Sequence, residues 1–327
     1  MTLDVRQLKG RAVLAPLAGV ADSSFRLICR EMGAAMVFTE MISADGLVQQ
    51  SEKTYSYLFF RKKERPIGFQ LFGSNPDIFA RAMEIVLPYE PDFIDINFGC
   101  PVKKVVRKEG GASLMRDPKL AGEIAREVVR ASGLIPVTAK IRSGWSAGTL
   151  NYLEVAEELV SSGISALALH PRTREQGFSG RSDWRRITRL VRFCPVPVIG
   201  SGDVFTPADV LEMFDTTGCA AVMIGRGAVG NPWIFSRAKS LLAGKADPGE
   251  PGREERISLA LEHTQMMVRE HDEKYGVVLM RKHFGCYTKG LPAASELRRR
   301  LFACSSMDEV KRTFGDYLEK VQNLQTG

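Results

Sequence analysis

The sequence has no long apolar run and no recognisable export segment. No apolar stretch among its 327 residues approaches the roughly 18 residues that a membrane-spanning helix requires. Residues 1–6 also lack the apolar centre of a signal peptide. These absences argue against a membrane protein and lead us to expect a cytoplasmic one.

Cysteine and histidine are also scarce. The six cysteines are dispersed without a CxxC pair, and none of the four histidines stands at zinc-finger spacing. This pattern fits free thiols in a reducing compartment better than a disulfide framework or a structural metal. We therefore expect no metal site.

A strong charge excess is absent as well. The chain has 45 Lys and Arg against 38 Asp and Glu, a formal charge of +7, with 44% hydrophobic and 25% charged residues. These values are typical of globular proteins and exclude a largely disordered or fibrous chain. The modest excess of positive charge is compatible with a polyanionic partner. A monomer is the expected state.

Short apolar runs recur along the first three quarters of the chain. The candidate strands are residues 12–16, 36–39, 67–71, 93–96, 137–141, 164–169, 196–199 and 220–224. Asn75, Asp117 and Thr206 each stand directly before a proline, a pattern that starts helices. Eight strand-helix repeats in about 240 residues predict an α/β fold, a (β/α)8 TIM barrel. The alternative is a doubly wound open sheet. This sequence lacks the GxGxxG turn that is expected after the first strand of such a sheet.

The pattern changes near residue 242. Residues 243–254 are rich in Gly and Pro and predict a linker, and helical periodicity alone follows it. The sequence therefore predicts a barrel at residues 1–242, a linker at 243–254 and a small all-helical C-terminal domain at 255–327.

In a TIM barrel, functional residues gather at the carboxyl ends of the strands. The polar residues expected there are Gln70, Asn97, Cys100, Lys140, Arg142, His170 and Arg172, with glycine-rich turns at residues 200–203 and 225–227. Glycine N–H groups and Arg226 suit a phosphate at the last two loops. With Gln70 and Lys140 across the mouth, the phosphate suggests a flavin mononucleotide.

Two of these residues have competing interpretations. Lys140 suits either a flavin contact or the Schiff-base nucleophile of an aldolase, or it is merely a solvated strand end. Cys100 follows a glycine and precedes a segment that looks like a mobile basic loop. A thiol of ordinary pKa, about 8.5, is mostly protonated at neutral pH and can donate a proton as well as act as a nucleophile.

These residues resemble the tRNA-dihydrouridine synthases, most closely the bacterial B branch. The matching segments run in order along the chain and include Asn97-Phe-Gly-Cys-Pro101, Lys140-Ile-Arg142, His170-Pro-Arg-Thr173 and Arg281-Lys-His283. Ser201 and Cys286 depart from the family pattern, where Asn and an aromatic residue are frequent.

The resemblance implies an FMN enzyme that uses NADPH to reduce the 5,6 double bond of a uridine in tRNA, in the D-loop region. Cys100 would be the proton donor. The residues that would bind FMN are Pro16, Leu17, Ala18, Gln70, Lys140, His170, Ser201, Gly202, Asp203, Gly225 and Arg226. Those expected to face tRNA are Asn97, Arg142, Arg172, Arg281 and Lys282.

The C-terminal segment is basic in a way that suits RNA. Residues 281–312 contain eight Lys or Arg and three Asp or Glu, so 8 − 3 gives +5, with Phe284 and Tyr287 interleaved. A solvated helix face with core aromatics is the plainer interpretation. Two alternatives for the whole protein stay open: an FMN reductase of a free pyrimidine, and an RNA-binding protein with a vestigial barrel.

Overall fold

The computed structural model describes residues 8–326, with side chains as far as residue 322. The opening residues 1–6, which entered the expectation about export, lie outside this range. Among the helices described, none is both long and apolar enough to cross a bilayer.

Nine parallel strands form one sheet. They are β1 (Arg11–Leu14), β2 (Val37–Phe38), β3 (Ile42–Ser43), β4 (Ile67–Phe72), β5 (Phe93–Phe98), β6 (Val137–Arg142), β7 (Ala166–His170), β8 (Val198–Ser201) and β9 (Ala221–Ile224). The eight candidate strands are all present, at slightly different bounds. The additional strand, β3, is two residues long and pairs with the end of β4.

The sheet closes on itself. Its strand order is β1-β9-β8-β7-β6-β5-β4-β2. Between its first and last strands, Ala35 N donates to Ala12 O at 2.8 Å and Leu14 N donates to Met36 O at 3.0 Å. A cyclic, all-parallel order is that of a TIM barrel, and the open doubly wound sheet is excluded.

The helices of the barrel follow the strands. They are α1 (Ser23–Glu31), α2 (Ala44–Val48), α3 (Glu52–Ser56), α4 (Pro76–Val86), α5 (Lys103–Val106), α6 (Pro118–Ser132), α7 (Tyr152–Ser161), α8 (Arg185–Phe193), α9 (Pro207–Thr217) and α10 (Ile234–Leu242). Asn75, Asp117 and Thr206 cap α4, α6 and α9, each accepting hydrogen bonds from backbone N–H groups. The three helix starts predicted from Pro at the first position are confirmed.

Four helices complete the chain: α11 (Arg253–Glu270), α12 (Glu273–Tyr287), α13 (Ala294–Ala303) and α14 (Met307–Thr326). Ser306 and Glu309 form a capping box at the start of α14, with each side chain accepting from the other residue's backbone N–H at 3.3 Å. These helices share a second apolar core, which Ile28 and Trp233 of the barrel join. The C-terminal helices therefore pack directly on the barrel wall.

The segment between α10 and α11 is tied to the barrel. Arg237 of α10 binds both oxygens of Asp247 at 2.8 Å and also contacts Glu250. The helix α11 begins at Arg253, inside the predicted linker. The division into two domains stays a prediction.

Strand periodicity decides which residues enter the barrel. Along β5, Phe93 packs in the small core inside the barrel, whereas Ile94 and Ile96 belong to the large core beneath the helices. Side chains alternate between faces, so Asp95 and Asn97 point inward with Phe93. The same alternation directs polar residues of β4, β6, β7 and β8 into the barrel.

Candidate active site

Strand register brings the inward polar residues into neighbouring pairs. Gln70 of β4 is the backbone partner of Asp95 in β5, and Asn97 of β5 is the partner of Lys140 in β6. Arg142 at the end of β6 pairs with His170 at the end of β7. Because the strands are parallel, these pairs lie at the carboxyl-terminal mouth of the barrel.

A cavity of about 350 Å³ opens at this mouth. Thirteen of the residues singled out in the sequence line it: Pro16, Leu17, Ala18, Asn97, Cys100, Lys140, Arg142, His170, Ser201, Gly202, Asp203, Gly225 and Arg226. Four others are not among its lining residues: Gln70, Arg172, Arg281 and Lys282. The ends of six different strands, or the loops that follow them, therefore converge on one basic cavity.

Cys100 sits at the end of β5 with its backbone held in place. Asn97 Oδ1 accepts hydrogen bonds from Gly99 N at 3.0 Å and from Cys100 N at 2.8 Å. Gly111 packs against Cys100, since a Cβ on Gly111 would lie 2.9 Å from the Cys100 carbonyl oxygen. Burial raises the pKa of the Cys100 thiol, although Arg142 and Lys140 act in the opposite direction. The thiol is therefore protonated at neutral pH.

The segment after Cys100 differs from the loop that the sequence suggested. It contains the short helix α5 and the 3-10 helix Gly111–Arg116, whose first five residues are buried. The basic side chains of Lys103, Lys104 and Lys108 stay on the exposed side. The segment combines a buried half that supports Cys100 with a charged outer half.

Cations surround the cavity and alter one another's protonation. Burial, followed by repulsion from Arg142, lowers the pKa of Lys140 to about 8. Burial and the neighbouring cations hold the pKa of His170 far below its usual value, so this imidazole is neutral. Arg142 is fixed by hydrogen bonds to the carbonyl oxygens of Gly99 at 2.8 Å and Thr173 at 2.9 Å.

The glycine turns form a cradle after β8 and β9. Gly202 has a φ of +111°, and a Cβ there would lie 2.4 Å from Ser182 Oγ, so only glycine fits. Across the cradle, the Arg226 side chain is 44% exposed and lies over the rings of Phe178 and Phe205, 4.6 and 5.3 Å from their centroids. Backbone N–H groups and a guanidinium suit a phosphate monoester.

Arg172 is buried beside this cradle instead of facing the cavity. Its side chain is 2% exposed and donates to Asp203 Oδ2 at 2.7 Å and to the Ser179 carbonyl oxygen at 3.1 Å. Within residues 8–322 its Nη1 has no hydrogen-bond partner, an orphaned donor next to the phosphate cradle. Burial acts to raise the pKa of Asp203, but the hydrogen bonds from Arg172 and Ser182 N lower it below its usual value.

Sequence reasoning missed Asp95. Its carboxylate accepts hydrogen bonds from Gln70 Nε2 at 2.5 Å and from Thr138 Oγ1 at 2.6 Å. Burial raises its pKa to about 6. Gln70 in turn accepts from Asn97 Nδ2 at 2.8 Å through its Oε1 atom. A carboxylate inside an otherwise apolar strand was the available signal.

Arg281 and Lys282, the two residues predicted to face tRNA from the C-terminal helices, lie on α12 and outside the cavity. Arg281 of α12 is exposed, whereas Lys282 donates to the carbonyl oxygen of Gly19 in the loop after β1. Cys286 of α12 packs against the barrel at Gly230. A Cβ on Gly230 would lie 2.5 Å from that of Cys286. This position is thus a close contact between α12 and the barrel.

The closed barrel, with its cavity at the catalytic end of the strands, defines a TIM-barrel enzyme. The family model described as dihydrouridine synthase (Dus) matches residues 13–324. The chain is 38% identical to a probable tRNA-dihydrouridine synthase of Aquifex aeolicus over 95% of this chain and 97% of that protein. It is 36% identical to tRNA-dihydrouridine synthase B of Pseudomonas aeruginosa, over 98% and 96%. The chain belongs to the dihydrouridine synthase family.

A solved structure shows the same fold at low identity. The histamine dehydrogenase of Rhizobium sp. 4-9 is similar with a TM-score of 0.50 and 14% identity, over 79% of this chain and 48% of that chain. At this identity the likeness concerns the fold alone.

Proposed function

We propose that the protein reduces the C5–C6 double bond of a uridine in the D-loop region of tRNA, using FMN and NADPH, with Cys100 as the proton donor. The observation that carries the proposal is the placement of a protonated Cys100 thiol and the Lys140 ammonium on one cavity. Membership of the family gives the reaction class. The expected place of the reaction is the cytoplasm.

The residues present fit FMN. The cradle formed by Ser201, Gly202 and Gly225, with Arg226 beside it, suits the phosphate, and Arg172 Nη1 is an unpaired donor next to it. Pro16, Leu17 and Ala18 supply an apolar wall for a ring. When bound, FMN supplies the hydride that it takes from NADPH.

Cys100 delivers the proton that completes the reduction. Its raised pKa keeps the proton on sulfur until a base is generated nearby. Asn97 fixes the backbone of Cys100 through its Oδ1 atom, so the thiol is presented from one side of the cavity. Lys140 and Arg142 favour negative charge that develops on a bound uracil.

Binding of tRNA requires contacts beyond the cavity. A uridine must leave its stack to enter a barrel mouth, at a cost of a few kcal/mol. The exposed cations Arg281, Lys289, Arg299 and Arg312 on and between the C-terminal helices can offset that cost through phosphate contacts. We assign this helical segment to tRNA binding and the barrel to catalysis.

The test uses the purified full-length protein and tRNA transcribed without modifications. With FMN and NADPH, we expect visible flavin absorption and formation of dihydrouridine, detected by mass spectrometry. Comparable reduction of free uridine would favour the reductase of free pyrimidines. A protein that binds tRNA but never flavin would contradict the proposal and favour the RNA-binding alternative.

A further inference from the structure

Three potential metal ligands meet where the C-terminal helices contact the barrel. Asp22 caps α1 of the barrel, His263 lies on α11 and His283 lies on α12. One ligand atom from each of the three side chains lies within 4.8 Å of the other two. Both imidazoles are fully buried. None of the three residues lines the cavity of the candidate active site.

The spacing of these atoms is too wide for direct hydrogen bonds. His263 Nε2 lies 3.9 Å from Asp22 Oδ1, and His283 Nε2 lies 3.8 Å from Asp22 Oδ2. In the part of the chain whose side chains are described, Asp22 Oδ2, His263 Nε2 and both ring nitrogens of His283 are buried without a hydrogen-bond partner. Buried polar atoms are nearly always paired, so this group indicates a missing partner.

His263 is already oriented for ligation. Its Nδ1 lies 3.1 Å from the Tyr287 hydroxyl, and when Nδ1–H donates there, the lone pair resides on Nε2. Ligating histidines commonly use their second nitrogen in this way, which fixes the ring and the tautomer. The Phe25 ring packs against both imidazoles, with centroids 6.1 and 5.3 Å away. The pocket around the ligand atoms therefore has an apolar wall.

We propose that Asp22, His263 and His283 bind one divalent transition-metal ion, with Zn²⁺ as the best chemical match. Two imidazoles and a carboxylate are a known zinc ligand set, with water in the fourth position. Zinc bonds of about 2.0–2.2 Å place tetrahedral ligand atoms about 3.4 Å apart. Ligand atoms that lie within 4.8 Å of one another therefore need to close by at most about 1.4 Å. The ion links the barrel to two C-terminal helices.

This proposal departs from the expectation of no metal, which rested on the spacing of cysteine and histidine in sequence. Asp22 ends the loop that follows β1 and caps α1, and both histidines come from the C-terminal helices. Ligands so far apart along the chain leave no short motif. The loop that ends at Asp22 contains Leu17 and Ala18 of the cavity wall, so the ion anchors that loop to α11 and α12.

Lys282 provides a sharp test of the proposal. Its Nζ lies 3.5 Å from Asp22 Oδ2. A fixed ammonium at this distance opposes the binding of a second cation. Lys282→Met removes that charge while keeping an unbranched apolar chain, so it should strengthen zinc binding. A purely structural role for the two histidines would not produce this gain.

The experiment uses the full-length protein stripped with a chelator and re-equilibrated with Zn²⁺. We measure bound zinc per chain by elemental mass spectrometry and affinity by competition with a chromophoric chelator. We expect about one equivalent in the wild type, most of it lost in His263→Ala and His283→Ala, and about tenfold tighter binding in Lys282→Met. The control is His271→Ala, because His271 is exposed and outside the cluster.

Wild-type protein that retains less than about 0.1 equivalent of zinc would overturn the proposal. Unchanged zinc content in His283→Ala, or unchanged affinity in Lys282→Met, would do the same. If the histidine variants fail to fold, the wild-type stoichiometry and Lys282→Met still decide. The measurement needs neither flavin nor tRNA, so its result is independent of the proposed function.

Discussion

The carboxylate of Asp95 accepts a hydrogen bond from the side-chain amide of Gln70 at 2.5 Å. Because a carboxylate only accepts, it forces Gln70 Nε2 toward itself and Oε1 toward Asn97. Asn97 must then donate to Gln70 and present its own oxygen to the backbone of Cys100. One buried charge thus sets the orientation of two amides and, through them, of the backbone that carries the proposed proton donor.

Asp95→Asn should disturb this chain of hydrogen bonds. An asparagine has a single side-chain oxygen and no charge, so it keeps the bond from Gln70 only if its NH2 group faces Thr138, whose hydroxyl must then accept instead of donate. We expect dihydrouridine formation to fall about tenfold or more, since a misplaced donor is costly in catalysis. The control, Thr138→Val, removes one donor but keeps the carboxylate, and should retain most activity. Equal activity of Asp95→Asn and the wild type would refute this role.

Cys100→Ala should separate flavin reduction from product formation. The alanine cannot supply a proton, yet Ser201, Gly202 and Arg226 of the phosphate cradle remain. We therefore expect NADPH to bleach the flavin at a near-normal rate while dihydrouridine formation falls about 100-fold or more. Cys194→Ala, outside the cavity, is the matched control. Product formed at the wild-type rate by Cys100→Ala would exclude the thiol as proton donor.

Lys140 should make FMN binding sensitive to pH. Its pKa of about 8 means that the ammonium is present below this pH and is lost as the pH rises through it. The FMN phosphate keeps its charge between about pH 7 and 9.5, so its own ionisation does not change the affinity in this range. We expect the FMN dissociation constant to increase above about pH 8 in the wild type, measured by flavin fluorescence.

Two variants complete the Lys140 experiment. Lys140→Arg should keep tight binding to higher pH because a guanidinium stays protonated there. Lys140→Met should bind FMN more weakly and show no inflection near pH 8. A flat wild-type profile would show that the charge of Lys140 does not contribute to FMN affinity.

Asp203→Ala should destabilise the barrel mouth. The substitution leaves the guanidinium of Arg172, which is 2% exposed, without its anionic partner. We expect a loss of about 2–4 kcal/mol in the free energy of unfolding, read from denaturant titration. Asp203 also has a φ of +56°, which asparagine tolerates well, so Asp203→Asn should lose less. A larger loss of stability in Asp203→Asn than in Asp203→Ala would contradict this account.

Arg281→Glu should weaken tRNA binding without affecting the flavin. Arg281 is exposed on α12, and replacing it reverses one charge on the proposed RNA face. We expect several-fold weaker binding and a shallower dependence of affinity on salt, by about one phosphate contact. Lys119→Glu makes the same change on the exposed side of α6. Equal effects of the two variants would mean that only net charge matters.

Much of the architecture could be predicted from sequence because its signals are local. Asn75, Asp117 and Thr206 start helices through contacts within three residues, and the apolar runs that mark strands are continuous. The partnership of Gln70 and Asp95 was not predictable in this way. It depends on the register between two strands, and register is settled by the packing of the whole barrel.

Local sequence accounts for the repeated strand-helix pattern, the glycine turns and the position of Cys100 after a strand, because near neighbours control backbone conformation. Tertiary packing was needed to bury Arg172 against Asp203 and to bring Gln70 into contact with Asn97. Tertiary structure likewise joined Asp22 to two histidines from the far end of the chain. Burial, pairing and protonation arise from groups distant in sequence, and folding alone brings those groups within a few ångströms.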